Sequence, residues 1–160
     1  MTVEALEDRT MLTSMISIND VTIVEGDRDS GTTDVIFTVT RTGTIAGDLN
    51  KSVSIAYATQ NLTAFDAFPQ GVDDYPDYID YSGSISFTAD SVSLQQTATI
   101  TIRVLGDKYF EEDEQFQITL STSDPEVSIT KAIGTATILN DDFPRMLQYQ
   151  RVDPTNPSSN

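Results

Sequence analysis

Residues 98–104 read Ala-Thr-Ile-Thr-Ile-Arg-Val, with an apolar side chain at every second position. Because the side chains of a β-strand point alternately to opposite faces, this period predicts a strand with one buried and one exposed face. The same alternation recurs along the chain, and no segment has a helical period longer than a turn. The other predicted strands lie around residues 16–18, 21–23, 35–39, 53–57, 83–87, 116–120 and 136–138.

About seven short alternating strands separated by turn residues predict an all-β fold, an antiparallel β-sandwich of Greek-key type. The apolar parity changes across Asn19-Asp20, which indicates a bulge or a break there. We assign residues 14–142 to the sandwich. Residues 1–13 stay an unassigned N-terminal segment, and the proline-containing residues 143–160 are interpreted as a linker or tail.

Composition excludes several classes of function. The chain has no Cys and no His, which rules out disulfides, typical zinc sites and catalysis by an imidazole base. Its formal net charge of -16 disfavours nucleic acid as a partner, and no apolar run is long enough for direct membrane insertion. A glycosidase with paired carboxylates is disfavoured because no Trp is present to line a sugar cleft. We therefore expect a protein that is not an enzyme.

The acidic residues gather at predicted strand ends and loops. They lie in residues 25–27, 73–80, 107–114 and 140–142. Each run alone is typical of a solvated surface, but strands that alternate in direction can bring all four to one end of the sandwich. Two carboxylates ~4 Å apart repel by roughly 4 kcal/mol at an effective dielectric of ~20. Ca²⁺ relieves such repulsion, since it takes several oxygen ligands from irregular loops.

Four motifs occur in a fixed order. Ile23-Val24-Glu25-Gly26 opens the series, and Asp77-Tyr78 is followed by Gly-Ser-Ile-Ser-Phe at residues 83–87. Residues 110–116 read Phe-Glu-Glu-Asp-Glu-Gln-Phe, and residues 134–142 close the series with Gly-Thr-Ala-Thr-Ile-Leu-Asn-Asp-Asp. Together they resemble the Calx-beta domain family, which includes the calcium sensors of sodium–calcium exchangers and modules of bacterial surface proteins. The resemblance covers residues 16–142.

The resemblance implies a seven-stranded immunoglobulin-like sandwich with a Ca²⁺ cluster at one tip. The acidic residues that match the family's ligands are Glu25, Asp77, Asp107, Glu111, Glu114, Asp141 and Asp142. Tyr109 matches a ligand that binds through its backbone carbonyl. Asn140 replaces the first acid of the closing triplet and can still bind through its amide oxygen. Gly106 and Lys108 stand where the acid-rich sensors carry aspartates, so we expect one or two ions.

These residues predict a Ca²⁺-binding module of a larger extracellular or cell-surface bacterial protein, which it rigidifies or presents for adhesion. Its expected partners are calcium ions, neighbouring domains of the same chain and a cell-surface or matrix molecule. Residues 3–12 also resemble a segment near the start of very large secreted proteins of planctomycete-type bacteria. The alternative is a purely structural spacer of the same fold with a vestigial metal site, which the departures at residues 106, 108 and 140 favour.

Overall fold

A computed structural model describes residues 14–26, 31–67 and 76–143. Nine strands form within these ranges, and no helix does. They are β1 (Ser14–Ile18), β2 (Val21–Val24), β3 (Thr32–Thr42), β4 (Val53–Asn61), β5 (Ser82–Phe87), β6 (Gln95–Leu105), β7 (Glu114–Ser121), β8 (Val127–Lys131) and β9 (Ile133–Leu139). The predicted tails, residues 1–13 and 144–160, lie outside the described residues.

The strands form two sheets that pack as an immunoglobulin-like sandwich, which confirms the predicted fold class. One sheet has the order β6-β3-β1-β8, and the other has the order β2-β9-β7-β4-β5. The longest ladder joins β3 to β6 without a register shift, from Thr32 opposite Leu105 to Thr42 opposite Gln95. This uninterrupted pairing follows from the strict alternation of both strands, which keeps one face of each against the core.

The core lies between the sheets and consists of the alternating apolar residues. Phe116 is fully buried at its centre. The ring of Tyr78 stacks on it at a centroid distance of 4.2 Å, and Phe37 meets it edge-on at 6.2 Å. Ile85 of β5, an apolar position of the alternating pattern, is half-buried and packs against this core. The fully buried aliphatic side chains include Ile16, Val35, Val39, Ile55, Ile100, Ile102, Val104 and Ile118.

The change of parity at Asn19-Asp20 is a crossing between the two sheets. β1 belongs to one sheet and β2 to the other, so the chain changes sheet within two residues. Asn19 is held to the first sheet, because its Oδ1 accepts a hydrogen bond from the Thr38 N–H (2.6 Å). Asp20 is held to β9, because its Oδ1 accepts one from the Thr135 N–H (2.9 Å). The predicted break is therefore confirmed.

Two strand pairings differ from the antiparallel arrangement that we predicted. β1 pairs with β8 in parallel, and β2 pairs with β9 in parallel. Both parallel pairs lie at sheet edges. β1 and β2 run in the same direction on either side of the crossing, so each of them pairs in parallel with the edge or neighbouring strand of its own sheet. β8 itself was not predicted, since Val127–Lys131 contains only two apolar positions in alternation.

Strand directions bring five strand ends to one pole of the sandwich. β2 and β9 end where β7 begins, and β6 ends where β3 begins. The two sheets are tied at this pole by the Thr33 hydroxyl of β3, which donates to the Glu25 backbone carbonyl (2.8 Å). We call this the acidic pole, since residues 25, 107, 114 and 140–142 follow or begin these strands. No described segment forms a helix able to span a membrane.

Candidate metal centre

A first group of carboxylates joins the end of β2 to the end of β9. Each of Glu25, Asp141 and Asp142 offers one carboxylate oxygen, and these three atoms lie within 4.8 Å of one another. The backbone fixes the group, because the Glu25 N–H donates to the Leu139 carbonyl (3.0 Å) and the Gly26 N–H donates to Asp141 Oδ1 (3.1 Å). Gly26 has a φ of 85°, a left-handed conformation that suits glycine.

A second group joins the loop before β5 to the segment at the start of β7. One carboxylate oxygen each from Asp77, Glu111 and Glu114 lies within 4.8 Å of the others. Asp77 is positioned by its backbone carbonyl, which accepts from the Leu105 N–H of β6 (2.8 Å), and by Oδ2, which accepts from the Phe65 N–H (2.7 Å). Its neighbour Tyr78 is buried in the core, and burial raises the pKa of that phenol to about 12.

Electrostatics connect the two groups into one site. Burial raises the pKa of Glu25 to about 7, and repulsion from Asp107 and Asp77 adds to the rise, followed by that from Asp142 and Asp141. Members of both groups therefore lie close enough to Glu25 to disfavour its ionised form. Glu25, Asp77 and Asp107 are all buried, with exposed fractions of 5%, 5% and 6%.

The chemistry of this donor set fits Ca²⁺. Every side-chain donor is an oxygen, and the loops that carry these donors supply carboxylates in the irregular arrangement that calcium accepts. Zinc prefers Cys and His, which the chain lacks. Enclosed carboxylates that repel one another are costly to keep ionised, and a divalent cation removes that cost. Glu25, Asp77, Glu111, Glu114, Asp141 and Asp142 would hold the metal, with Asp107 beside them.

The remaining predicted ligands are also at the acidic pole. Asp107 Oδ1 accepts a hydrogen bond from the Tyr109 N–H (2.6 Å), which forms a tight turn after β6. Asn140 ties two of the acidic segments together, because its Oδ1 accepts from the Glu111 N–H (3.3 Å) and its Nδ2 donates to the Asp142 carbonyl (3.0 Å). The structure thus brings together all nine predicted residues. Their role as ligands stays a prediction.

Sequence reasoning missed one residue that shapes the site. Asp113 Oδ1 accepts a hydrogen bond from the Asn140 N–H (3.1 Å), so it orients the loop after β9. It lies within the acidic run 111–114, where its position alone does not separate it from the predicted ligands. Asp73 and Asp74, which belong to the predicted acidic run at residues 73–80, lie outside the described residues.

Comparisons with known proteins identify the family of this fold. The model of the Calx-beta domain family matches residues 15–142. The apo form of the Calx CBD1 domain is 27% identical over 81% of this chain and 98% of that domain, with a TM-score of 0.60. No curated protein sequence matches this chain at a significant level.

Two longer structures match as well. CBD12 from CALX1.2 is 27% identical over 80% of this chain, with a TM-score of 0.59, and the calcium binding domain CBD12 of CALX1.1 is 26% identical over 79%, with a TM-score of 0.61. This chain spans 46% of each of them, less than half of their length. The region that the family model matches contains both carboxylate groups. The chain therefore belongs to the Calx-beta domain family.

Proposed function

We propose that this chain is a Ca²⁺-binding module of a larger extracellular or cell-surface bacterial protein, and that calcium stiffens the module and orients the neighbouring domain. Domains of this family bind Ca²⁺, and this chain has acidic clusters that could hold a metal ion. The observation that carries the proposal is the convergence of two carboxylate groups around the buried Glu25. The two groups fit one or two ions.

Calcium would act on the segments that leave the sandwich at the acidic pole. The proposed ligands come from the end of β2, the loop before β5, the segment between β6 and β7, and the residues after β9. An ion bound by all four would fix their relative positions. Asp142 belongs to the ligand set and leads directly to Phe143, so metal binding would also set the direction in which the chain leaves the domain.

We propose a binding role for this domain, and not catalysis. Domains of this family are binding modules. Neighbouring domains of the same protein are the partners that we propose, because the matched CBD12 structures are about twice as long as the region that this chain spans. Adhesion to a cell-surface or matrix molecule would then be a property of the larger protein, to which this module gives a defined shape.

A structural spacer with a vestigial metal site is the second candidate. The observation that favours it is the exposed Lys108, an ammonium at the edge of the acidic pole where the family's sensors carry a further acid. Asn140 also contributes no charge, and its amide already bridges two loops. In this candidate the core alone would hold the sandwich together.

Calorimetric titration of the metal-free protein with Ca²⁺ separates the two candidates. We expect saturable binding of one or two ions, and much weaker binding of Mg²⁺, which demands a small octahedral shell and dehydrates reluctantly. The double variant Glu111→Gln with Asp141→Asn removes one carboxylate from each group and should abolish the heat of binding. A matched control, Glu112→Gln with Asp34→Asn, makes the same change in charge at positions outside both groups and should bind normally. A spacer would give no saturable heat with millimolar Ca²⁺.

A further inference from the structure

The two lateral sides of the sandwich differ in charge. On one side lie the edge strands β5 and β6, and between Tyr81 and Ile102 the single charged residue is Asp90, although 21% of the whole chain is charged. We call this the neutral side. On the other side lie the edge strands β2 and β8, of four and five residues.

The side with β2 and β8 is protected in the way usual for sheet edges. Its strands are short, and Lys131 at the end of β8 forms an ion pair with Asp20 before β2 (2.7 Å). Short strands and charged side chains discourage pairing with another chain. On the neutral side, β6 has neither protection: it has eleven residues, and no Lys, Pro or register shift interrupts it from Gln95 to Ile102.

The existing hydrogen bonds of β6 identify the residues whose backbone N–H and C=O groups point to its outer edge. Asp77 and Ile79 already pair with the C-terminal part of β6. The Ile79 N–H donates to the Arg103 carbonyl (2.9 Å), and the Leu105 N–H donates to the Asp77 carbonyl (2.8 Å). In an antiparallel strand the groups of every second residue point to the same side. The N–H and C=O groups of Thr97, Thr99 and Thr101 therefore point to this edge too.

No described segment pairs with the open edge of β6 from Gln95 to Thr101. The short stretch around Tyr78 that pairs with Val104 leaves β6 at Tyr81, whose carbonyl accepts from the Thr59 N–H of the other sheet (3.0 Å). From Gln95 to Thr101, β6 pairs with β3 alone within the ranges that the structure describes. The edge thus already accepts one extended segment and continues beyond it.

An open cleft lies where the paired stretch leaves β6. Its volume is about 350 Å³, and its walls include Ile79 and Tyr81, with Asp34 and Arg103 on the adjoining sheet face. Ile79 and Tyr81 are 44% and 56% exposed. Val92 and Leu94, just before β6, are exposed as well, so apolar side chains flank the open backbone groups at both ends.

We propose that the neutral side binds an extended segment of another polypeptide, which adds as a strand to β6 from Gln95 to Thr101 and places an apolar side chain in the cleft beside Tyr81. A backbone in extended conformation is the ligand that satisfies a row of alternating N–H and C=O groups. A second copy of this chain is disfavoured, because each copy carries a net charge of -16. The partner segment is uncharged where it pairs and basic in its flanks.

The test uses a fluorescent peptide of alternating Thr and Val residues with lysines at both ends, added to the full chain in the presence of Ca²⁺. Fluorescence anisotropy should show saturable binding, and hydrogen exchange should show new protection of the Thr97, Thr99 and Thr101 amides. The same peptide with N-methyl groups on alternate residues cannot form the ladder and should not bind.

Two variants of one residue separate backbone pairing from contact with side chains. Thr99→Pro removes an N–H that points away from β3, so the domain keeps its own ladder while the edge loses a donor. We expect it to weaken peptide binding at least tenfold, about 1.4 kcal/mol, and Thr99→Ala to change binding less than about twofold. Circular dichroism and sedimentation velocity verify that each variant is folded and monomeric.

Three results would overturn the proposal. One is the absence of saturable peptide binding by the folded, unmodified chain up to ~1 mM peptide, the weakest affinity worth considering. Another is equal binding of the N-methylated peptide or of the Thr99→Pro variant. The third is dimerisation of the chain without peptide, accompanied by protection of the same three amides, which would assign the edge to a second copy. Loss of Ca²⁺ binding would not affect any of these readings, because the edge lies outside the acidic pole.

Discussion

Glu25 is the residue at which burial and charge act together most clearly. Burial and four acidic neighbours raise its pKa from 4.5 to about 7 in the folded chain, whereas the unfolded chain leaves it near 4.5. A group whose folded pKa is raised contributes stability below its unfolded pKa and loses that contribution as the pH rises through the folded value. Without metal, the domain should therefore lose stability between about pH 5 and pH 8.

We expect this loss to be at most about 3.5 kcal/mol, since each unit of pKa shift corresponds to about 1.4 kcal/mol. Urea unfolding in EGTA across this range measures it. Glu25→Gln should flatten the profile, and saturating Ca²⁺ should reverse its slope, because the metal binds the ionised carboxylates. An equal slope in the unmodified chain and in Glu25→Gln would show that other groups cause it.

At the scale of the element, the crossing between β1 and β2 depends on its close contact with β9. Gly134 lies beneath it, and a Cβ at this position would be 2.6 Å from the Asn19 carbonyl oxygen and 3.0 Å from Ile18 Cγ1. Because the first of these atoms belongs to the backbone, it cannot move without shifting the crossing. Gly134→Ala should cost about 1–3 kcal/mol, roughly the cost of overpacking a core.

Chemical denaturation of Gly134→Ala and Gly83→Ala tests this contact. Gly83 is a matched control, since a Cβ there would meet the ring and hydroxyl of Tyr57, the nearest atom at 3.1 Å. That side chain is partly exposed and can turn aside, so we expect a loss below about 1 kcal/mol. If the two substitutions cost the same, the crossing is more adaptable than its packing indicates.

Most strands could be predicted from the sequence because their alternation is strict. Val35, Phe37 and Val39 of β3 face the core, as the period requires. The parallel pairs could not be predicted, since they depend on which sheet each half of the first strand joins after the crossing at Asn19-Asp20. β8 was not predicted because only two of its five residues are apolar and alternate. Its position is set by pairing with β1.

The site could be predicted in composition but not in detail. The motifs placed nine residues at one pole, and the structure brings them together. Which carboxylates approach one another depends on loop conformation, such as the reciprocal hydrogen bonds between Phe65 and Asp77, and that conformation leaves no periodic signal in the sequence. The bridging role of Asn140 and its contact with Asp113 are hidden for the same reason.

At the scale of the whole molecule, two kinds of repulsion oppose folding without metal. The net charge of -16 is spread over the surface, where salt screens interactions beyond about 8 Å at physiological ionic strength. At the acidic pole, Glu25, Asp77 and Asp107 are buried, and the carboxylates of each group lie close together, so monovalent salt screens their repulsion much less. The two contributions can therefore be separated by the type of ion.

We expect NaCl at about 0.5 M, well above the ionic strength of a cell, to raise the melting temperature of the metal-free chain modestly, through the surface charges. At the same high salt, Ca²⁺ should raise the melting temperature further, because its binding adds about 2.7 kcal/mol to the free energy of unfolding at a hundredfold excess over Kd. Glu111→Gln with Asp141→Asn should keep the NaCl response and lose the Ca²⁺ response, because it leaves most of the surface charge in place. It should also be slightly more stable than the unmodified chain without metal, since it removes repulsion within both groups. If the high salt instead eliminates the effect of Ca²⁺, the metal acts only as a screening ion, and the acidic pole is a charged surface without a binding site.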